Sequence, residues 1–339
     1  MGATLRALLV LLAMTASASA QVFDYESLPG WAEDDHLAAL KTFRNTCDLM
    51  NDADWTPVCR VASDVDDNES AARQFFELLF KPVLIGTPPA LFTGYYEPEL
   101  EGSPVRTARF AYPIYSRPPE LRDGLVWYDR ATIERGILAG RGLEIAWLDD
   151  PVEVFFLHIQ GSGRIHLTNG HTIRVGYAGR NGYAYRSVGQ ELVRRGIFTL
   201  AQVSAGTIRQ WVRANPAAGM DLLNVNPSYV FFRKLGDMPD TQGPIGAMGR
   251  SITTMRSVAV DRSHIPLGAP VWVEKSGSDP VHRLMIAQDT GGAIKGAQRA
   301  DIFFGTGHQA GQAAGEIKDS GRLLLLLPID RAYAMLSDN

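Results

Sequence analysis

The chain has 339 residues, 45% of them hydrophobic and 21% charged, which excludes a disordered polymer and leaves room for two cores. Its formal net charge is −4 and it has no dense block of lysine and arginine, so nucleic acid is excluded as a partner class.

The chain starts MGATLRALLVLLAMTASASAQ, which combines Arg6, an apolar run over residues 7–16 and small residues at Ala18 and Ala20, the pattern of an export signal cut before Gln21. Residues 1–20 are expected to be a signal peptide. The mature protein is expected to be soluble in the periplasm and monomeric. No lipid anchor is expected, because Gln21 stands where a lipid-acceptor cysteine would be needed. Cys47 and Cys59 lie 12 positions apart, and an oxidising compartment lets them join as a disulfide; two free thiols are the alternative.

A helix is expected over residues 31–50, with Glu33, Asp34 and Asp35 in its first turn, and a second over 69–81. Strands dominate from Val83 onward. Residues 152–179 read as a three-stranded meander, with turns at GSGR and at Asn169-Gly170. Two helices follow, one from Ser187 and one stopped by Asn215-Pro216. Strands return at 257–261, 270–274, 282–289 and 300–305, and the leucine run 323–327 is too short to cross a bilayer and reads as a buried strand. The pattern is mainly β with helices added, which disfavours a doubly wound nucleotide-binding sheet.

The glycine turn in AQDTGGAIKGAQRADIFFG is not a phosphate loop, because Lys295 precedes Gly296 and no hydroxyl residue follows it. His158, His166 and His171 match no metal-ligand spacing and read as polar surface positions of the meander. No G-x-S-x-G is present, and Ser162 falls in an expected hairpin turn. No metal and no cofactor is expected.

Three aspartates stand at strand ends: Asp261, Asp289 and Asp301. One such residue commonly caps a turn. Three around one glycine turn can raise one another's pKa, so that one stays protonated and acts as a general acid. Lys295 would oppose that shift if it pointed inward, and is expected to face solvent or a substrate's carboxylates. Tyr95 and Tyr96 are adjacent on an expected strand and point to opposite faces, so at most one lines a cleft.

Four stretches carry a family resemblance: FTGYYEP at 92–98, FLHIQGSGRI at 156–165, NPSYVFF at 226–232, and VAVDRSHIPLG at 258–268 together with the glycine turn at 287–305. The chain resembles the membrane-bound lytic murein transglycosylase A family, and the three aspartates match its three-aspartate signature. The resemblance implies a double-psi β-barrel from residues 21–104 and 240–339, with a smaller inserted β-rich domain over 105–239 and peripheral helices. It implies peptidoglycan glycan strands as substrate, cut between N-acetylmuramic acid and N-acetylglucosamine without water to leave a 1,6-anhydro end. Asp301 is implied as the single acid and base, with Asp289 supporting it and Asp261 structural. Thr93, Tyr95, Tyr96, Gln160, Ser162, Gly291, Gly292 and Lys295 are implied substrate-binding positions. The alternatives are a peptidoglycan hydrolase that uses water and a glycan-binding module without catalysis.

Overall fold

The computed structural model describes residues 21–337, and the expected signal peptide at 1–20 lies outside the described residues. The amino-terminal part supplies strands β1 (Gln21–Val22), β2 (Phe80–Leu84) and β3 (Ala90–Glu97). The middle supplies β4 (Glu99–Ser103), β5 (Tyr112–Tyr115), β6 (Glu144–Leu148), β7 (Ser162–Leu167), β8 (Thr172–Arg180) and β9 (Val230–Lys234). The carboxy-terminal part supplies β10 (Ser257–Val260), β11 (Pro270–Lys275), β12 (Val281–Asp289), β13 (Arg299–Thr306) and β14 (Lys318–Pro328).

These strands form two sheets. The first has the order β1-β2-β14-β11-β12-β10-β13-β3, and a further pairing of β14 with β3 closes six of its strands into a barrel. Closure removes the free edges that an open sheet would expose. Within the barrel β10 runs parallel to β12 and β13 parallel to β3. The second sheet has the order β5-β6-β4-β7-β8-β9. The fold is therefore mainly β, a barrel drawn from both ends of the chain with a second β-rich unit between them.

One core joins the barrel strands to the amino-terminal helices, uniting Val271, Leu284 and Ile302 with Phe43, Trp55 and Phe76. Strands covered on both faces read as unbroken apolar runs, which is why Leu323–Leu327 shows no alternation. All five leucines are buried, each contributing roughly 2 kcal/mol of transfer free energy.

Several elements differ from the sequence expectation. The first helix begins at His36, capped by Asp35, which accepts from the Ala38 amide at 2.9 Å. Asp34 is not a first-turn acid: it pairs with Arg256 at 2.8 Å and accepts from the Leu284 amide, tying the entry of the chain to β12. An unanticipated helix, Trp55–Asp64, carries Cys59, and the disulfide to Cys47 joins it to the end of the first helix with Cα atoms 5.4 Å apart. Closing a loop of this length stabilises the fold by roughly 3 kcal/mol in the chain-entropy model.

The expected three-stranded meander contains only two strands, β7 and β8. Its first run is the helix Pro151–Gln160, with Asp150 accepting from the Val152 amide at 2.8 Å, Pro151 in the first turn and Gly161 left-handed at the end. Val152, Val154, Phe155, Phe156, Leu157 and His158 are all buried, because the helix is wedged between two clusters. A helix buried all round has no apolar stripe to announce it. Ser162 accordingly lies in β7 and not in a turn. Pro216 does stop one helix, Ala205–Ala214, but it also starts the next, Pro216–Leu223, because its missing amide proton is not needed in a first turn.

The expected division after residue 104 falls one strand late. β3 ends at Glu97 and β4, from Glu99, already pairs with β6 and β7 of the second sheet. The passage between sheets is pinned by the fully buried Glu97. It accepts from Arg164 at 2.9 Å, from Arg174 at 2.9 Å and from the Thr306 hydroxyl at 2.8 Å. The same two arginines donate to the carbonyls of Asp240 and Gln242, where the chain returns toward the barrel.

Candidate active site

Cross-strand register builds the site. Ala259 on β10 pairs with Asp289 on one side and Asp301 on the other, and Asp301 pairs in turn with Thr93 on β3. Directly paired residues share a face, so Asp289, Ala259, Asp301 and Thr93 form one row across four strands. The two aspartate Cα atoms are thus two strand spacings apart, about 10 Å. Ala259 between them is itself buried, packed against Tyr95 and Phe303.

A bulge sets this row. Val258 pairs with Ala287 and the next residue, Ala259, with Asp289, so Gln288 is the extra residue on β12. Gln288 turns into the core and donates to the Thr42 carbonyl at 3.0 Å and to the Thr46 hydroxyl at 3.1 Å. Without the bulge, Ala259 would face Gln288 and the carboxylate would leave the row.

Asp301 is half-buried, while its neighbours Ala300 and Ile302 are fully buried in the barrel core. Thr93 Oγ1 donates to Asp301 Oδ1, and Arg299 donates to Thr93 Oγ1 at 2.7 Å. An arginine can only donate, so the single threonine proton is left for the aspartate. Burial raises the Asp301 pKa above the ordinary carboxylate value, and Thr93 and Arg299 pull against that rise.

Asp289 is held by three donors: the Thr290 amide at 2.9 Å, the Ala247 amide at 3.0 Å and the Tyr95 hydroxyl at 3.0 Å. Burial outweighs them and pushes its pKa to about 6, with the charge of Asp301 adding to the rise. Tyr95 lies two residues past Thr93 on the same face, its ring tilted against that of Phe303 with centroids 5.3 Å apart, and with Ile252, Ala259 and Ile294 it forms a small apolar floor. Its own pKa is driven well up by burial and by both aspartates, so the hydroxyl stays a donor.

Asp261 stands apart from the row. Its carboxylate accepts from the Gly296 amide at 2.9 Å and the Ser263 hydroxyl at 2.8 Å, contacts that lower its pKa to about 2. It therefore anchors the far end of the glycine turn, where Gly296 has φ +105°. Lys295 is exposed with its Nζ 3.7 Å from Asp261, so its charge is directed away from the acid pair. Gly291 and Gly292 keep the turn low: a Cβ on Gly291 would meet Ile294 at 2.7 Å.

Tyr96 faces the opposite side of β3 from Tyr95, near Arg209, whose Nη2 donates to its hydroxyl at 3.3 Å. Gln160 accepts from the Tyr96 amide at 3.0 Å and so fastens the helix Pro151–Gln160 to β3. Ser162 is buried. The structure therefore brings Thr93, Tyr95, Asp289 and Asp301 together, with Gly291 and Gly292 on the adjoining turn, while Tyr96, Gln160 and Ser162 lie along the junction of the two sheets.

Arg299 and Ala247 were not among the expected site residues. Arg299 carries a sequence signal, since it lies two positions before Asp301 and shares its face. Ala247 acts through its backbone and gives none. Among the histidines, His158 is not a surface residue: it is buried, accepts from Arg130 at 3.1 Å, and is kept neutral by burial and by that guanidinium.

Comparison with known proteins places this geometry. Residues 91–233 match the family model described as the MltA specific insert domain, and residues 256–327 match the 3D domain. The crystal structure of a membrane-bound lytic murein transglycosylase from Agrobacterium tumefaciens superposes with TM-score 0.86 at 33% identity, covering 94% of this chain and 99% of that one. The chain belongs to the membrane-bound lytic murein transglycosylase A family. A member from Vibrio cholerae is 37% identical over 245 residues, 69% of this chain and 64% of the relative, so the match spans somewhat less than two thirds of that protein. The structure of Escherichia coli MltA with bound chitohexaose is also similar, with TM-score 0.73 and 29% identity, covering 91% of this chain and 94% of that one.

For this member of the MltA family the raised Asp289 pKa carries a stability consequence. The folded state holds the Asp289 proton more tightly than the unfolded chain, whose carboxylate titrates near pH ~4. Stability is therefore intact below that value and is lost as the pH rises to about 6. A rise of this size corresponds to roughly 3 kcal/mol at neutral pH. Asp289→Asn keeps the two backbone contacts, and its amide can donate to the Tyr95 hydroxyl. Urea unfolding at about pH 4 and about pH 8 is expected to show Asp289→Asn gaining stability only at the higher pH. An equal effect at both would sink this reading.

Proposed function

We propose that the protein is a peptidoglycan lytic transglycosylase that cuts the β-1,4 bond between N-acetylmuramic acid and N-acetylglucosamine and leaves a 1,6-anhydromuramic acid end. The observation that carries this reading is the Arg299–Thr93–Asp301 chain of donors beside Asp289, in a family whose members are named lytic murein transglycosylases. The bound chitohexaose of the Escherichia coli relative supports a glycan strand as the ligand.

The chemistry needs one group that gives a proton and then takes one. Thr93 occupies Asp301 Oδ1, which leaves Oδ2 to carry the working proton. The raised pKa keeps that proton in place until the glycosidic oxygen receives it, and the C1–oxygen bond then breaks. Thr93, itself polarised by Arg299, stabilises the carboxylate that remains. The C6 hydroxyl of the muramic acid attacks C1, and its proton passes to Asp301, restoring the acid. No water enters.

Positive charge at C1 is opposed by Asp289. At neutral pH a carboxyl group with a pKa of about 6 is mostly ionised, and its three donors fix its orientation. Asp261 supports the site by holding the glycine turn.

No helix among the described residues is long and apolar enough to cross a membrane. The amino-terminal sequence pattern and the Cys47–Cys59 disulfide support a periplasmic location, where the substrate lies. Mass spectrometry of purified peptidoglycan after digestion tests the function: anhydro-ended muropeptides are expected, and reducing ends alone would replace the lyase with a hydrolase. Intact sacculi after prolonged incubation would leave only a glycan-binding module.

A further inference from the structure

Arg180 ends β8 on the second sheet, and it is exposed. Its guanidinium lies against the glycine turn of the barrel, where a Cβ on Gly292 would sit 3.4 Å from Nη1. Gly292 is three residues past Asp289, so at most about 10 Å of chain separates the two. Arg180 thus reaches from one sheet to the turn that carries the acid pair of the other.

Among the described residues no carboxylate pairs with Arg180. The nearby Arg117 is already committed, ion-paired to Asp123 at 3.0 Å and donating to the Ala178 carbonyl at 3.2 Å. Asp289 and Asp301 have their own donors, and Asp261 is held by Gly296, Ser263 and Lys295. Lys295, the lysine of the turn itself, lies 3.7 Å from Asp261. A planar guanidinium with unused donors, facing backbone that carries no side chain, is suited to a bidentate carboxylate from outside the protein.

We propose that Arg180 is a specificity-determining residue that binds a carboxylate borne on the muramic acid side arm of the glycan; this rests on the lytic transglycosylase reading above. Two sources share this chemistry. Stem peptides bring carboxylates in intact peptidoglycan, and the lactyl group exposes its own once the peptide is removed. Oligomers of N-acetylglucosamine carry neither.

The test measures binding in the Asp301→Asn background, with and without Arg180→Ala, to three ligands: peptide-bearing glycan strands, amidase-stripped strands and an N-acetylglucosamine hexamer. Arg180→Ala is expected to weaken peptide-bearing glycan about tenfold and to leave the hexamer within about twofold, the hexamer serving as the control for folding. Loss confined to peptide-bearing strands identifies a stem-peptide carboxylate, loss confined to stripped strands identifies the lactyl carboxylate, and loss on both shows that Arg180 takes either. Arg180→Glu provides a second route, since it sets a like charge against the ligand's carboxylate; it is expected to weaken the carboxylate-bearing glycan at least as much as Arg180→Ala and to leave the hexamer within about twofold. Equal weakening of all three ligands, or no weakening of either carboxylate-bearing glycan, overturns the proposal. Wild-type product analysis separates the two readings. Anhydro products without selectivity at Arg180 overturn only this inference, whereas their absence overturns the reading beneath it.

Discussion

Asp301→Asn is expected to lower the turnover of peptidoglycan by roughly two to four orders of magnitude, the range that positioned acid–base groups contribute. The substitution is nearly isosteric. Its carbonyl oxygen can still accept from Thr93, so the Arg299–Thr93 link and the row across four strands survive. What is lost is the removable proton, and one residue loses it for both steps, so no second group rescues half of the reaction. Binding of glycan strands is expected to persist within a few-fold, because the glycine turn, Tyr95 and Arg180 are untouched. Initial rates of release from sacculi, together with binding to the same material, check this. A variant that digests at the wild-type rate would show that Asp301 is not the acid.

Glu97→Gln is expected to cost about 3–5 kcal/mol of folding stability, the usual result of removing one member of a buried ion cluster. Glu97 is fully buried, and the side chains of Arg164 and Arg174 are only 9% and 7% exposed, so neither guanidinium can turn to water for compensation. The amide would retain some hydrogen bonds but no charge. Asp240 remains the nearest other carboxylate, 3.7 Å from Arg164 and itself well exposed, too weak to replace it. The loss falls where β3 hands over to β4, at a carboxylate that also accepts from Thr306 of β13. Equilibrium urea unfolding measures it, with Glu120→Gln as the surface control, since the Glu120–Arg141 pair is exposed on both sides. A Glu97 variant no less stable than that control would mean that the buried cluster does not hold the two sheets together.

Much of the barrel could be read from local pattern. β10 to β13 are short apolar runs bounded by turn residues, and the three aspartates stand at their ends where a row or a cap can form. Sequence distance hides the rest. Thr93 and Asp301 are 208 positions apart, and nothing local says that β3 lies parallel to β13. The pairing of Asp289 with Ala259 depends on the bulge at Gln288, a deviation from alternation that the sequence presents only as a polar residue in an apolar strand. The helix Pro151–Gln160 was obscured for a different reason: burial on all sides replaced its amphipathic stripe with a continuous apolar run resembling a strand. Its signals were the aspartate–proline start and the glycine end. Glu97 illustrates a third limit, since a glutamate beside two tyrosines looks like part of a ligand surface until the arginines of β7 and β8 are folded onto it.

In the proposed reaction one carboxyl group performs both proton transfers while the sugar's own C6 hydroxyl attacks C1. Digestion of purified peptidoglycan in water enriched in heavy oxygen tests it most directly. Anhydro-ended products carrying no heavy oxygen at C1 are expected, and the same products, much more slowly, from Asp301→Asn. Incorporation of heavy oxygen at C1 at the rate of bond cleavage would contradict it, and would make Asp289 and a bound water the reacting pair.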